Sequence, residues 1–150
     1  MPAETERTNI LLIMSDQQRY DTLGCYGARI CRTPNLDRLA ERGVRFSTAY
    51  TPTSPCSPAR AALFTGVYPH KNHVLVNGGT VNPALPNLAS ELQYVSYNLG
   101  YAGKWHVDNP KVPSDYGFLG KDFPGYGYPP ADGTIEGLRF GRGSRMATPH

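Results

Sequence analysis

Three short stretches of the sequence carry residue types that could do chemistry, and the first contains Cys56. It reads "TPTSPCSPARAALFTG" over residues 51–66, with the cysteine just before a segment that looks like the start of a helix. Backbone N–H groups at a helix start are unsatisfied and partly positive, so they favour an anion. Pro58 fits the first turn because it has no N–H to lose, and Arg60 lies one turn on. Residue types alone leave open whether Cys56 is a buried free thiol or a thiolate nucleophile.

The second stretch is Lys104-Trp105-His106, at the end of the segment "YNLGYAGKWH". We predict a strand here, and side chains alternate along a strand, so Lys104 and His106 would share one face. An ammonium beside an imidazole is unfavourable unless an anion lies between them, and an oxyanion site has that arrangement. A surface Lys-x-His pair without a function is the simpler interpretation of these three residues alone.

The third stretch is Asp16-Gln17, directly after an apolar run. One interpretation is an Asx turn or a helix cap. The other is a pair of oxygen donors for a hard divalent cation, which binds carboxylate and amide oxygens. Two donors are too few for a site, so other segments would have to contribute.

The elements that position these residues follow from hydrophobic patterning. "NILLIMSD", residues 9–16, is a continuous apolar run that predicts a strand buried on both faces, hence a parallel sheet with helices on either side. Asp16 then falls at the carboxyl end of the strand, where open α/β sheets bind ligands. "VRFSTAYT", residues 44–51, predicts a second, short strand.

Three helices are predicted between the strands. The first begins after Thr33 as N-cap and ends at Gly43, and the second lies within residues 57–66. The third lies within residues 85–97 and is opened by Pro86. Their predicted apolar faces are formed by Leu36, Leu39 and Ala40 in the first helix, and by Leu88, Leu92 and Val95 in the third. Helices placed between strands predict an α/β layered fold.

Composition excludes several classes of function. The net charge of +3 over 150 residues is too small and dispersed to indicate nucleic-acid or membrane binding. Residues 139–145 are the nearest to a basic patch, and we interpret them as a solvated tail. No apolar run approaches the roughly 20 residues of a membrane span. Three cysteines without a CxxC motif, and no recognisable secretory signal, favour a cytoplasmic protein.

Taken in order, these stretches resemble the sulfatases, the formylglycine-dependent branch of the alkaline phosphatase superfamily. "CSPARAALFTG" matches the family's Cys-x-Pro-x-Arg signature, and "SYNLGYAGKWH" resembles its second signature, which ends in Gly-Lys-Trp-His. "NILLIMSDQQRYDTLGCYG" is similar to the opening strand and metal loop, and "TPNLDRLAERGVRFSTAY" to the helix that follows. The resemblance spans residues 9–106, with a weaker likeness in "DYGFLGKDF".

The resemblance implies an alkaline-phosphatase-like fold, a mostly parallel sheet sandwiched by helices, of which only the N-terminal part is present. Residues 1–108 would hold the strands, the metal loop and the nucleophile helix. Residues 109–150, with 6 Pro and 8 Gly, would form a loop-rich segment of the same domain. Family members are several times longer, so we expect this chain alone to bind metal poorly and to be inactive.

The resemblance also implies the chemistry of the site. A formylglycine-generating enzyme would convert Cys56 to formylglycine (3-oxoalanine), and one oxygen of its hydrate would attack the sulfur of a small-molecule sulfate ester. Arg60 would hold the formylglycine oxygens, Lys104 would contact the sulfate, and His106 would take the proton of the second hydroxyl.

The metal implied by the resemblance is Ca²⁺, alternatively Mg²⁺ or Mn²⁺, with Asp16, Gln17 and modified Cys56 among its ligands. Many members have a second Asp where this chain has Gln17, and glutamine occurs in branches that hydrolyse choline sulfate or phosphonate monoesters. Two alternatives stay open: a phosphonate or phosphate ester hydrolase of the same superfamily and, because the set of metal ligands is incomplete, a non-catalytic remnant.

Overall fold

The computed structural model describes residues 7–120 of the chain. The basic stretch at 139–145 and most of the loop-rich segment predicted at 109–150 lie outside these residues. The described helices are α1 (Pro34–Arg42), α2 (Cys56–Thr65), α3 (Pro69–Asn72) and α4 (Leu88–Tyr94), with strands β1 (Gly100–Tyr101) and β2 (Leu119–Gly120) and single-turn 3₁₀ helices at Tyr20–Thr22, Gly24–Tyr26 and Pro113–Tyr116. None of the helices within residues 7–120 has the length and apolar character of a membrane span.

Contacts divide the chain into two compact units, Met1–Ala49 and Tyr50–His150. The division predicted after residue 108 stays a prediction. Helix α1 of the first unit begins and ends as the sequence predicts, with Thr33 at the N-cap position and Gly43 after its last residue.

The Thr33 hydroxyl does not cap the N–H groups of α1. It accepts a hydrogen bond from the Gly24 N–H at 2.7 Å and lies 3.0 Å from Asp37 Oδ1, which also accepts from the Cys25 N–H. These bonds tie α1 to the 3₁₀ turn that precedes it.

The strand predicted over residues 9–16 is not formed in this structure. Residues 9–15 have no regular secondary structure, and Leu11 and Ile13 are 84% and 79% exposed. The apolar face predicted for α1 is exposed as well, at Leu36 and Leu39, and residues 44–51 form no strand. Because a strand needs a neighbour for its N–H and C=O groups, an apolar run alone does not make one; among residues 7–120 the only paired strands are β1 and β2.

The core of the second unit forms around α2. Small residues of this helix, Ala61 among them, are fully buried and let neighbouring segments approach closely. Phe64 of the same helix contacts the Trp105 ring edge-on, with ring centroids 5.2 Å apart. The buried apolar cluster consists of Ala61, Phe64, Val74, Val81, Ala89, Leu99, Trp105 and Val107.

The strand predicted over residues 97–106 is much shorter than expected. Strand β1 contains two residues and pairs in parallel with β2, with Gly100 opposite Leu119 and Tyr101 opposite Gly120. The ladder ends before Lys104, and the mostly parallel sheet sandwiched by helices stays a prediction. The segment that carries the candidate Lys and His is therefore held by other contacts.

Helix α4 begins two residues after Pro86, because Asn87 is the N-cap. The Asn87 side chain accepts from the Ser90 N–H at 3.0 Å, while the Ser90 hydroxyl accepts from the Asn87 N–H at 2.9 Å. This reciprocal pair satisfies two N–H groups that the helix itself cannot use.

We expect Asn87→Ala to lower the free energy of unfolding by about 1 kcal/mol, since an alanine N-cap leaves the Ser90 N–H without its acceptor. Chemical denaturation measures the loss. Ser90→Ala removes the other half of the box and should cost a similar amount. An unchanged midpoint in both variants would show that the box contributes nothing.

Candidate active site

Cys56 is the first residue of α2, directly after Pro55 at the N-cap position. It is half-buried, and the next two residues, Ser57 and Pro58, are buried. The helix ends at Thr65, and Gly66 follows it with a left-handed φ of 71° and an N–H that donates to the Ala62 carbonyl. The sequence predicted this helix well, because a proline in the first turn and a glycine after the last are compatible with the backbone needed at each end.

The thiol of Cys56 lies against the imidazole of His106, with 3.3 Å between Sγ and Nδ1. A second side chain, Asn77, places its Oδ1 3.7 Å from the same sulfur and accepts a hydrogen bond from the Ser57 N–H at 3.1 Å. Asn77 thus does what an N-cap side chain would do, which Pro55 cannot. The sequence does not single out Asn77, because an Asn-Gly-Gly stretch indicates only a turn.

Arg60 is 7% exposed and donates from Nη1 to the Lys104 carbonyl at 3.0 Å. The Tyr101 hydroxyl donates to the same carbonyl at 2.6 Å. Burial raises the pKa of Tyr101, and the nearby Arg60 charge opposes that rise. The Arg60 bond holds the Lys104–His106 segment against α2 although 44 residues separate Arg60 from Lys104, and the Tyr101 bond fixes the local turn.

His106 is buried, whereas Lys104 is half-buried. The two residues do not alternate along a strand as the sequence predicts, because residues 102–106 lie outside β1 and His106 has a left-handed φ of 47°. A residue with a Cβ adopts this conformation only where its surroundings impose it. The structure nevertheless brings Cys56, Arg60 and the backbone of Lys104 and His106 together at the start of α2.

Asp16 and Gln17 belong to the first unit, Met1–Ala49, and both are exposed. Gln17 has a left-handed φ of 53°. Within residues 7–120 there is no group of three or more His, Cys, Asp or Glu side chains arranged to hold a metal ion. The oxygen donors of Asp16 and Gln17 suit a hard cation, but these two side chains by themselves do not complete a site.

Comparison with known proteins identifies the family. The model of the family "Sulfatase" matches residues 8–130. Arylsulfatase A of Homo sapiens is 43% identical over 107 residues, which cover 66% of this chain and 21% of that protein. The uncharacterized sulfatase YidJ of Escherichia coli K12 is 34% identical over 128 residues, covering 79% of this chain and 26% of the relative. The chain thus spans about a quarter, or less, of the length of these relatives.

A solved structure gives the same result. A protein whose structure contains its substrate, D-glucosamine-2-N,6-O-disulfate, superposes with a TM-score of 0.65 at 34% identity and covers 71% of this chain and 22% of its own. The fold shared with such neighbours is the alkaline-phosphatase-like fold. Since the family model covers most of the chain, including the segments that carry Cys56 and His106, the chain belongs to the sulfatase family.

Proposed function

We propose that this chain supplies the nucleophile end of an enzyme that hydrolyses sulfate esters. The observation that carries the proposal is the cluster at the start of α2, where Cys56, His106 and the Arg60–Lys104 contact meet. Positive charge from Arg60, added to the partial charge of the helix end, makes the site suitable for an anionic ester, and we propose that the Lys104 ammonium contacts the sulfate.

We propose that Cys56 is converted to formylglycine by a maturing enzyme that reads the Cys-Ser-Pro-Ala-Arg segment. The hydrated aldehyde supplies one oxygen as nucleophile and a second hydroxyl that lets the product sulfate leave. His106 is proposed as the base at residue 56, because its Nδ1 already lies within hydrogen-bonding distance of the side-chain atom there. Arg60 fixes the segment that carries this base.

The metal remains part of the proposal. Asp16 and Gln17 supply oxygens of the kind that Ca²⁺, Mg²⁺ or Mn²⁺ takes, and modified Cys56 is proposed as a further ligand. Because two or three donors do not satisfy such an ion, we propose that the 150 residues alone bind metal weakly and are inactive. The relatives are several times longer and have room for the remaining ligands.

A second candidate, phosphonate monoester hydrolysis by the same nucleophile, has its own support. The phosphonate monoester hydrolase of Agrobacterium radiobacter is 40% identical, with a TM-score of 0.60, and covers 63% of this chain and 19% of its own. Gln17 removes one negative charge relative to an Asp pair, which also fits that branch. The preference for sulfate rests on the sulfatase relatives and on the neighbour bound to a sulfated sugar.

Two measurements test the proposal on the full-length protein co-produced with a maturing enzyme. Mass spectrometry of the Cys56 peptide should find the lower mass of an aldehyde in place of the thiol. Matched aryl sulfate and aryl phosphonate esters should then show a higher kcat/KM for the sulfate. A reversed preference would support the phosphonate candidate, and an unmodified, inactive protein would support a non-catalytic remnant.

A further inference from the structure

Asp108, two residues after the proposed base His106, carries a buried carboxylate that the proposed reaction does not use. The Asp108 residue is 6% exposed, and its side chain is fully buried. Its Oδ1 accepts hydrogen bonds from the Val81 N–H at 2.8 Å and from the Asn109 N–H at 2.9 Å. Its Oδ2 accepts from the Tyr116 hydroxyl and lies 3.8 Å from Lys111 Nζ.

These bonds join three separate segments of the second unit at one carboxylate. The Val81 N–H ends a loop that begins at Val74 and carries Asn77 to Cys56, and Val74 itself is fixed by a bond from its N–H to the buried Asn72 side chain. The Thr80 hydroxyl adds a bond to the Asn109 carbonyl at 2.8 Å. A buried charge is stable only when its partners are in place, so Asp108 fixes the geometry of all three segments.

His106 needs such an anchor, because its left-handed backbone is unfavourable for a residue with a Cβ. On one side of it, the buried Trp105 is held among aromatic rings. On the other side, Asp108 is held by polar contacts. The imidazole therefore projects toward Cys56 from a backbone fixed at both neighbours.

We infer that Asp108 is a positioning residue that holds both His106 and the Asn77 loop against the side chain at position 56. The inference rests on the proposed function for its catalytic consequence, but the contact it explains, between Cys56 Sγ and His106 Nδ1, is a property of the unmodified chain. The Asp108 carboxylate thus holds in place the two side chains, His106 and Asn77, that touch residue 56.

The test uses the full-length protein in two forms. Produced without a maturing enzyme, the protein keeps the Cys56 thiol. Peptide mass spectrometry then measures the rate at which iodoacetamide alkylates each cysteine, with the exposed Cys31 as internal reference. We expect Asp108→Ala to slow alkylation of Cys56 severalfold relative to Cys31, because Sγ loses the contact with His106 Nδ1 that the unaltered chain holds at 3.3 Å. In the matured enzyme, the same change should lower kcat by about 10- to 100-fold with a smaller effect on KM.

Two further variants control for loss of structure. Asp115→Ala removes an exposed carboxylate that accepts from the Val112 N–H, and it should leave both rates unchanged. Asp108→Asn keeps an oxygen for the Val81 and Asn109 N–H groups and should restore most of both rates. If Asp108→Ala does not fold, Tyr116→Phe decides, since it removes only the donor to Oδ2 and should slow Cys56 alkylation in the same direction.

The outcomes separate the inference from the proposed function. If Asp108→Ala leaves Cys56 alkylation unchanged or makes it faster, the positioning role is overturned, because a substitution that only loosens the structure would expose the thiol. If Asp108→Ala slows Cys56 alkylation but the matured protein without substitutions hydrolyses no sulfate ester, the positioning role is supported and the proposed function is contradicted.

Discussion

Cys56→Ser in the full-length enzyme is expected to cleave one sulfate ester per molecule and then stop. The serine hydroxyl can attack sulfur, forming an O–S bond to the enzyme while the S–O bond to the leaving alcohol breaks and the alcohol takes the proton. The sulfated serine has no second hydroxyl with which to expel sulfate. We expect steady-state turnover to fall by at least about 10⁴-fold.

The expected result is a burst of alcohol product equal to the protein concentration, with no release after it. Peptide mass spectrometry should then show sulfate on the peptide that contains residue 56. Cys56→Ala should give no burst, and Cys31→Ser, at an exposed cysteine, should behave as the unaltered enzyme. Sustained turnover by Cys56→Ser would contradict the proposal, since an ordinary hydroxyl would then suffice.

The largest expected effect on stability comes from Trp105→Ala. The indole is 2% exposed, and its ring contacts those of Phe64, Tyr101, Tyr116 and Phe118 at centroid distances of 5.2–6.2 Å. Truncation removes these ring contacts and leaves a cavity among the four rings. We expect a loss of about 3–5 kcal/mol in the free energy of unfolding.

Denaturant unfolding followed by circular dichroism measures the loss, with Tyr94→Ala, an aromatic residue 87% exposed in α4, as a neutral control. Trp105→Phe should cost much less than Trp105→Ala. The indole Nε1 is the buried side-chain polar atom without a hydrogen-bond partner within residues 7–120, and phenylalanine removes that unsatisfied donor. Equal losses in both Trp105 variants would show that the cluster does not depend on ring packing.

Helix ends were predictable from the sequence where local chemistry decides them. Helix α1 ends before Gly43 and α2 before Gly66, as the glycines indicate. Helix α4 begins at Leu88 rather than at Pro86, since the Asn87 side chain forms a reciprocal pair with Ser90 that outweighs the preference of proline for the first turn. Local hydrogen bonds of this kind depend on neighbours within three residues, which the sequence shows directly.

Strands were less predictable, because their hydrogen bonds depend on segments far away in the chain. The apolar pattern of residues 9–16 indicates burial but not a partner, and the residues stay outside any strand. The candidate site shows the same limit. Cys56, Arg60 and His106 were identified by residue type and by resemblance, whereas Asn77 and Asp108 act through backbone N–H groups, a role that residue type does not reveal.

On the role proposed for His106, its left-handed backbone couples the stability of the protein to its activity. Glycine at this position would remove the conformational cost of the left-handed backbone, but it would also remove the buried imidazole that faces residue 56. Substitutions meant to raise the stability of this protein should be placed away from the turn that holds His106.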